Sequence, residues 1–191
     1  VHGVYDSNDQ TFYQGIHHLL PATIMKVSMT DSSKLNVQFK TWWKPNIDQS
    51  TNVSFDEAKE LVRNQFLENV KLHLRSDVPV AAALSGGIDS SAIVCTMRYI
   101  EPDMDINTYS FIAQNHPANE EKWVNLVNNY VGAIPNKIVL SPGNLIKDLD
   151  QMINAQGEPF GSTSIYAQYK LFEHAKSNGI TVSLEGQGAD E

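Results

Sequence analysis

Val80-Ala81-Ala82-Ala83-Leu84 runs, with no polar side chain, into Ser85-Gly86-Gly87-Ile88-Asp89-Ser90-Ser91. An apolar strand, a turn of small residues and a helix start in this order make an anion site. Gly86 and Gly87 lack a Cβ, so their backbone can take unusual dihedrals and let an oxyanion approach the amides. The free amides of the helix start add their dipole, and Ser85, Ser90 and Ser91 add hydroxyl donors. Asp89 is out of place beside a phosphate unless a cation mediates, which makes it a natural Mg²⁺ ligand. The run lacks the G-x-x-x-x-G-K-[ST] pattern of the common nucleotide loop, so it should hold pyrophosphate without a lysine of its own.

Such a loop needs a sheet to present it. From Val78 onward short apolar runs alternate with helical stretches, the signature of an α/β fold with a parallel sheet and helices on both faces. Strands are expected over Val78 to Leu84, Ile106 to Ala113, Lys137 to Leu140 and Ile180 to Leu184, with a fifth outside the chain. Helices are expected over Ser90 to Ile100, Asn119 to Val131, Leu145 to Ala155 and Ser164 to Ser177. Upstream, Ser54 and Glu57 form an S-x-x-E capping box. Phe55, Ala58, Val62, Phe66, Val70 and Leu74 then give a helix one apolar stripe to pack on the sheet. Further upstream, Met25, Val27 and Met29, then Leu35, Val37 and Phe39, alternate with polar residues around Asp31-Ser32-Ser33, which reads as a hairpin. Lys44 to Asn52 has no periodicity and looks like a connector. The reading is therefore two regions, 1–50 and 51–191.

Composition narrows the partner. The 191 residues carry 22 Asp plus Glu against 14 Lys plus Arg, a formal charge of -8. With no basic block, nucleic acid and anionic membrane surfaces are disfavoured as partners, leaving a small molecule or a protein. A single cysteine, Cys95, forms no internal disulfide, and a cytoplasmic location is the default. No apolar run approaches the roughly 20 residues that span a bilayer. The chain begins at Val1 and stops at Gly188-Ala189-Asp190-Glu191, which reads as a piece of a longer protein.

Ser85-Gly86-Gly87-Ile88-Asp89-Ser90-Ser91 resembles the SGGxDSS pyrophosphate loop of the ATP pyrophosphatase superfamily. Arg75-Ser76-Asp77-Val78-Pro79-Val80, Tyr109-Ser110-Phe111 and Gly186-Gln187-Gly188-Ala189-Asp190-Glu191 narrow the resemblance to the synthetase domain of glutamine-hydrolysing asparagine synthetases. Thr11-Phe12-Tyr13-Gln14-Gly15-Ile16, Leu20-Pro21, the hairpin and Trp42-Trp43 resemble the last part of that family's amino-terminal glutaminase domain. The resemblance implies an adenine nucleotide alpha hydrolase-like fold behind a β-hairpin remnant. It implies ATP and Mg²⁺ as cofactors, and ATP-dependent amidation: aspartate and ATP give aspartyl-AMP and pyrophosphate, then ammonia channelled from a glutaminase domain gives asparagine. Leu84 and Ala113 would flank the adenine, Ser85 to Ser91 would hold the phosphates, and Glu185 and Gly186 would lie against the nucleotide. Asp190 would join Asp89 at the metal. A homodimer of the full-length protein is left open.

The match has departures. The family's last motif usually reads S-G-[ED]-G-x-D-E, whereas Gln187 puts a neutral amide at the catalytic acidic position, where it cannot act as a general base. No arginine follows Arg98, so no guanidinium is available near Gly157 to Ser164 to clamp an aspartate carboxylate. Glu158-Pro159-Phe160 with Ser164 resembles the acceptor-side segment in outline only. Two alternatives stay open: an amidotransferase or cyclase of the same superfamily acting on another carboxylate, and a nucleotide-binding module without catalysis. The six histidines are scattered without zinc spacing. Cys95 reads as core. The family's glutaminase chemistry needs an amino-terminal cysteine, and its adenylation draws on a lysine further along the chain. The 191 residues alone are therefore expected to be inactive in both.

Overall fold

The structure, a computed structural model, describes residues 8–29, 34–47, 52–114, 116–117 and 119–189. It divides into two compact units, Val1–Asn52 and Val53–Glu191.

In the first unit, β1 (Thr23–Met29) and β2 (Leu35–Thr41) pair antiparallel. The register sets Met25 opposite Phe39, Val27 opposite Val37 and Met29 opposite Leu35, so every apolar cross-strand pair falls on one face of the ribbon. The amide of Trp42 donates to the carbonyl of Ala22 at 2.9 Å and closes the open end. The expected turn residues Asp31, Ser32 and Ser33 lie outside the described residues.

The second unit opens with α1 (Phe55–His73), started by the capping box. The Glu57 amide donates to Ser54 Oγ at 3.3 Å, and the Ser54 amide donates to Glu57 Oε2 at 2.8 Å. The Ser54 amide, and the Ser54 hydroxyl that also donates to Oε2 at 2.8 Å, hold the Glu57 carboxyl below its usual range. The apolar stripe of α1 buries only its carboxyl half. Val70 is in the core with Phe66 and Leu74 packed against it, whereas Phe55 and Val62 are 83% and 69% exposed. The element α1 chiefly meets is α2 (Ile88–Ile100), and the buried residue of α1, Val70, lies in its last turns.

Four strands follow: β3 (Val80–Ala83), β4 (Asn107–Phe111), β5 (Ile134–Ile138) and β6 (Val182–Leu184), all parallel in the order β5-β4-β3-β6. Between them run α2 (Ile88–Ile100), α3 (Glu121–Val131), α4 (Pro142–Gln156) and α5 (Thr163–Ser177). Period-two alternation along β3 sends Val80, Ala82 and Leu84 into a core with Val94, Met97 and Val124 of α2 and α3. It sends Ala81 to the other face, against Tyr109, Leu171 and Ala175 of β4 and α5. Helices therefore cover both faces, as the alternating pattern implies.

One strand differs from expectation. β5 begins at Ile134, not Lys137, and contains Pro135. Proline removes a ladder donor, which the edge position of β5 tolerates. The strand leaves α3 through Gly132 at φ +63°, a left-handed cap that starts it earlier than its own side chains suggest.

Candidate active site

After β3 the chain continues through α2 to β4 on one side, while β6 later pairs on the other side of β3. The strand order reverses between β3 and β6. In open α/β sheets the crevice beyond the carboxyl ends at such a reversal is where ligands bind. The loops that meet there are Leu84 to Gly87 after β3 and Glu185 to Gly188 after β6.

The first loop is held by its own hydroxyls. Ser85 Oγ and Ser90 Oγ lie 2.9 Å apart, the Ser85 amide donates to Ser90 Oγ at 3.2 Å, and the Gly87 amide donates to Ser85 Oγ at 3.2 Å. Ser90 is buried and bonds the Gly87 carbonyl at 3.3 Å, so its hydroxyl shapes the turn from inside. Gly86 sits at φ +95°, and a Cβ there would stand 3.1 Å from Trp123 Cβ and 3.2 Å from the Glu120 carbonyl, both at the start of α3. Gly87 is the N-cap of α2 and no side chain caps that helix. The first amides of a helix have no intrahelical partner, and these face the crevice.

The second loop presses on that helix start. A Cβ on Gly186 would stand 3.0 Å from the Ser90 amide nitrogen and 3.1 Å from Asp89 Cβ. Only glycine lets the two loops close on each other here.

Between them lies a cavity of about 170 Å³ lined by Ser85, Gly87, Asp89, Ser90, Glu185, Gly186 and Gln187, with Ala83 at its floor. A second cavity of about 400 Å³ continues toward α5, bounded by Leu84, Ser85, Ala113, Glu185 and Gln187 together with residues of β4 and α5. Nine of the twelve expected site residues therefore border one or both cavities. Leu84 borders the larger cavity, but its side chain is 1% exposed and belongs to the core, which leaves little of it for a ligand. Gly86 backs the loop against α3, and Ser91 lines neither cavity; its amide donates to Gly87 O at 3.1 Å as the first turn of α2. Asp190 lies outside the described residues.

Residues to which the sequence reading gave no site role complete the crevice: Ala83, Phe111, Glu120, Ala167 and Gln168. Ala83 had a signal, since a small residue just before the loop leaves space above the strand. Gln168 had none, because α5 meets β6 only in three dimensions. Its Nε2 donates to Glu185 Oε2 at 3.1 Å. Glu185 Oε1 is buried without a hydrogen-bond partner, as is Ser183 Oγ two residues earlier on the same face. Burial pushes the Glu185 carboxyl above its usual range; the Gln168 amide and the nearby Ser183 hydroxyl, which does not reach hydrogen-bond geometry, oppose that only in part.

Asp89 is exposed on the first turn of α2, beside the smaller cavity. Among the described residues no group of three or more His, Cys, Asp and Glu side chains stands ready to hold a metal. A single carboxylate beside an anion cavity suits Mg²⁺, which keeps its waters and binds through one or two carboxylates plus substrate phosphates.

A larger groove of about 650 Å³ lies on the hairpin unit, lined by Asp9, His17 and the apolar face of β1 and β2. It offers no glycine loop and no helix start.

A family model for asparagine synthase matches residues 61–191. The chain belongs to the asparagine synthase family. It is 30% identical over 156 residues to asparagine synthetase [glutamine-hydrolyzing] 1 of Bacillus subtilis, covering 82% of this chain and 24% of that one. It is 32% identical over 149 residues to the putative asparagine synthetase [glutamine-hydrolyzing] 2 of Methanocaldococcus jannaschii, covering 78% and 27%. It is also 25% identical over 201 residues to amidase chyE of Penicillium rubens, covering 95% and 29%. The chain spans between 24% and 30% of the length of these and similar curated relatives. Among solved structures, an NH3-dependent NAD synthetase from Campylobacter jejuni superposes with a TM-score of 0.41 at 20% identity, over 68% of this chain and 56% of that one. No described helix is long and apolar enough to cross a membrane.

Proposed function

We propose that this chain is the nucleotide-binding core of an ATP-dependent amide-forming ligase. A substrate carboxylate attacks the α-phosphate of ATP, giving an acyl-adenylate and pyrophosphate, and ammonia then displaces AMP to give the amide. The observation that carries this reading is the uncapped start of α2 facing the Glu185-Gly186-Gln187 loop across a phosphate-sized cavity at the strand reversal. Pyrophosphate is taken by the α2 amides and the Ser85 to Gly87 turn. The nucleoside takes the larger cavity, between Ala113 and the Glu185-Gly186 segment. Asp89 would hold Mg²⁺, with Asp190 as its companion, and that cation offsets charge on the leaving pyrophosphate.

Aspartate is the acceptor suggested by the relatives' names, with glutamine as the nitrogen source through a glutaminase region of which residues 1–50 are the end. A second reading, another carboxylate acceptor, is favoured by one observation. No lysine or arginine lines either cavity, so among the described residues nothing pairs with the α-carboxylate of aspartate. The acidic charge, and the cytoplasmic location taken from the single cysteine, fit small-molecule chemistry with neither nucleic acid nor membrane.

The test is exchange of labelled pyrophosphate into ATP by the protein expressed from its complete gene, with aspartate and then a panel of carboxylates. Exchange that needs one of these carboxylates and Mg²⁺ is the expected result. Asp89→Ala should remove the metal dependence of ATP binding, read by calorimetry. ATP binding with no exchange for any carboxylate would leave only a nucleotide-binding module.

A further inference from the structure

We propose that Glu185 is the proton acceptor of the amide-forming step, an inference that rests on the amidating-ligase reading above. When ammonia attacks the acyl-adenylate, a C–N bond forms and the C–O bond to AMP breaks, its electron pair leaving with the phosphate oxygen. The nitrogen, cationic after attack, must lose one proton to become a neutral amide. A group in the crevice has to receive it.

Few groups can. Among the described residues lining the two cavities the carboxylates are Asp89, Glu120 and Glu185, and the remaining ionisable group is the Tyr109 phenol, whose oxygen accepts from Asn178 Nδ2 at 3.2 Å. Asp89 borders only the smaller cavity, where the phosphates and the cation compete for it. Glu120 borders only the larger one and is solvent-exposed at the start of α3. Glu185 lines both, at their junction, which is where the α-phosphate and the acyl carbon bonded to it must lie. Gln187, two residues further along, borders both as well but is a neutral amide.

The setting of Glu185 suits the task. Gln168 fixes Oε2 at 3.1 Å while Oε1 has no partner, so one oxygen orients the carboxyl and the other is uncommitted. The terminal torsion of glutamate is soft and roughly two-fold, so either oxygen can be turned to a ligand. The charged groups that share a cavity wall with it are Asp89 from α2, Glu120 from the start of α3, and Lys176 from α5 in the groove beside β6. Burial raises its affinity for a proton, and a base works best when its pKa approaches the working pH.

The experiment measures two steps of the protein expressed from its complete gene: carboxylate-dependent pyrophosphate exchange, which releases no nitrogen-bound proton, and amide formation from ammonia. Glu185→Gln should slow amide formation by roughly 10²–10⁴-fold beyond whatever it costs exchange, in which Glu185 takes part only as a wall of the nucleoside cavity. It should also erase the carboxyl ionisation from the pH profile of amide formation. Glu185→Asp should restore part of the rate and the ionisation. Retained exchange shows that the variant is folded. Wild-type amide formation by Glu185→Gln, an unchanged pH profile, or equal losses in both steps would overturn the proton-acceptor role. Absence of exchange by the wild type with every carboxylate would instead overturn the ligase reading, and this inference with it.

Discussion

Replacing Gly86 by alanine separates two roles of one glycine in the phosphate turn. The residue sits at φ +95°, where an L side chain costs ~1–2 kcal/mol of backbone energy. The added methyl would also stand 3.1 Å from Trp123 Cβ, 3.2 Å from the Glu120 carbonyl and 3.3 Å from Glu120 Cβ. Two of those neighbours are rigidly tied to the α3 backbone and the third is backbone itself, so none can swing aside, and overpacking of this kind costs ~1–3 kcal/mol. The expected total is ~2–5 kcal/mol. Gly179→Ala is the control: φ is +78° and nothing lies within 4 Å, so only the backbone cost of ~1–2 kcal/mol remains. Gly186→Ala is the converse case, with no left-handed φ but a methyl 3.0 Å from the Ser90 amide nitrogen, giving ~1–3 kcal/mol and a displaced loop. Urea unfolding of the three variants, read at constant slope, gives the differences, and ATP titration reads the loop. Gly86→Ala should exceed Gly179→Ala by the contact part alone. Gly86→Ala and Gly186→Ala should weaken ATP binding while Gly179→Ala does not. Equal destabilisation by Gly86→Ala and Gly179→Ala would show that α3 yields freely and is not the fixed support of the turn.

Two other perturbations follow from buried polar groups. Thr108 Oγ1 donates to Asn128 Oδ1 at 2.6 Å in the core between β4 and α3, and Asn128 Nδ2 has no partner. Thr108→Val should therefore cost ~1–3 kcal/mol in urea unfolding by orphaning the amide altogether, and a second change, Asn128→Leu, should recover part of it; a neutral Thr108→Val would refute the pairing. Tyr166 is 4% exposed and donates to Asp148 Oδ2 at 2.7 Å, linking α5 to α4. Burial, and then that bond, pushes its phenol up to about 12, so its contribution holds below pH 10 and is lost as pH rises from 10 through about 12. The same bond and Lys170 hold Asp148 below its ordinary 3.8, so on the acid side stability is lost as pH falls beneath that value. Unfolding against pH should show both losses in the wild type, and Tyr166→Phe should flatten the alkaline one.

Features whose causes lie within a few residues of each other were legible in the sequence. The Ser54 and Glu57 box, the alternation of Met25 to Met29 against Leu35 to Phe39, and the strand-to-helix turn at Ser85 to Ser91 all depend on neighbours a short distance along the chain. What periodicity could not show is how far a partner surface extends. The stripe on α1 marks the face able to be buried, but among the described residues nothing covers Phe55 and Val62. The early start of β5, through Pro135, is tolerated because β5 is an edge strand. Ser90 reads as a phosphate donor, yet burial turns its hydroxyl inward to brace the turn.

The site is divided in the same way. Each loop was visible alone, whereas their contact depends on β6 pairing with β3, Val80 opposite Val182 and Ala82 opposite Leu184, across about a hundred residues of chain. That pairing sets Gly186 on the start of α2 and leaves Glu185, next after the strand, at the junction of two cavities. Had β6 added beyond β5 instead, the same sequence motifs would have stood on opposite edges of the sheet, and neither cavity would exist. The strand order, which no local pattern encodes, is what makes a glycine turn and a distant acidic residue walls of one crevice.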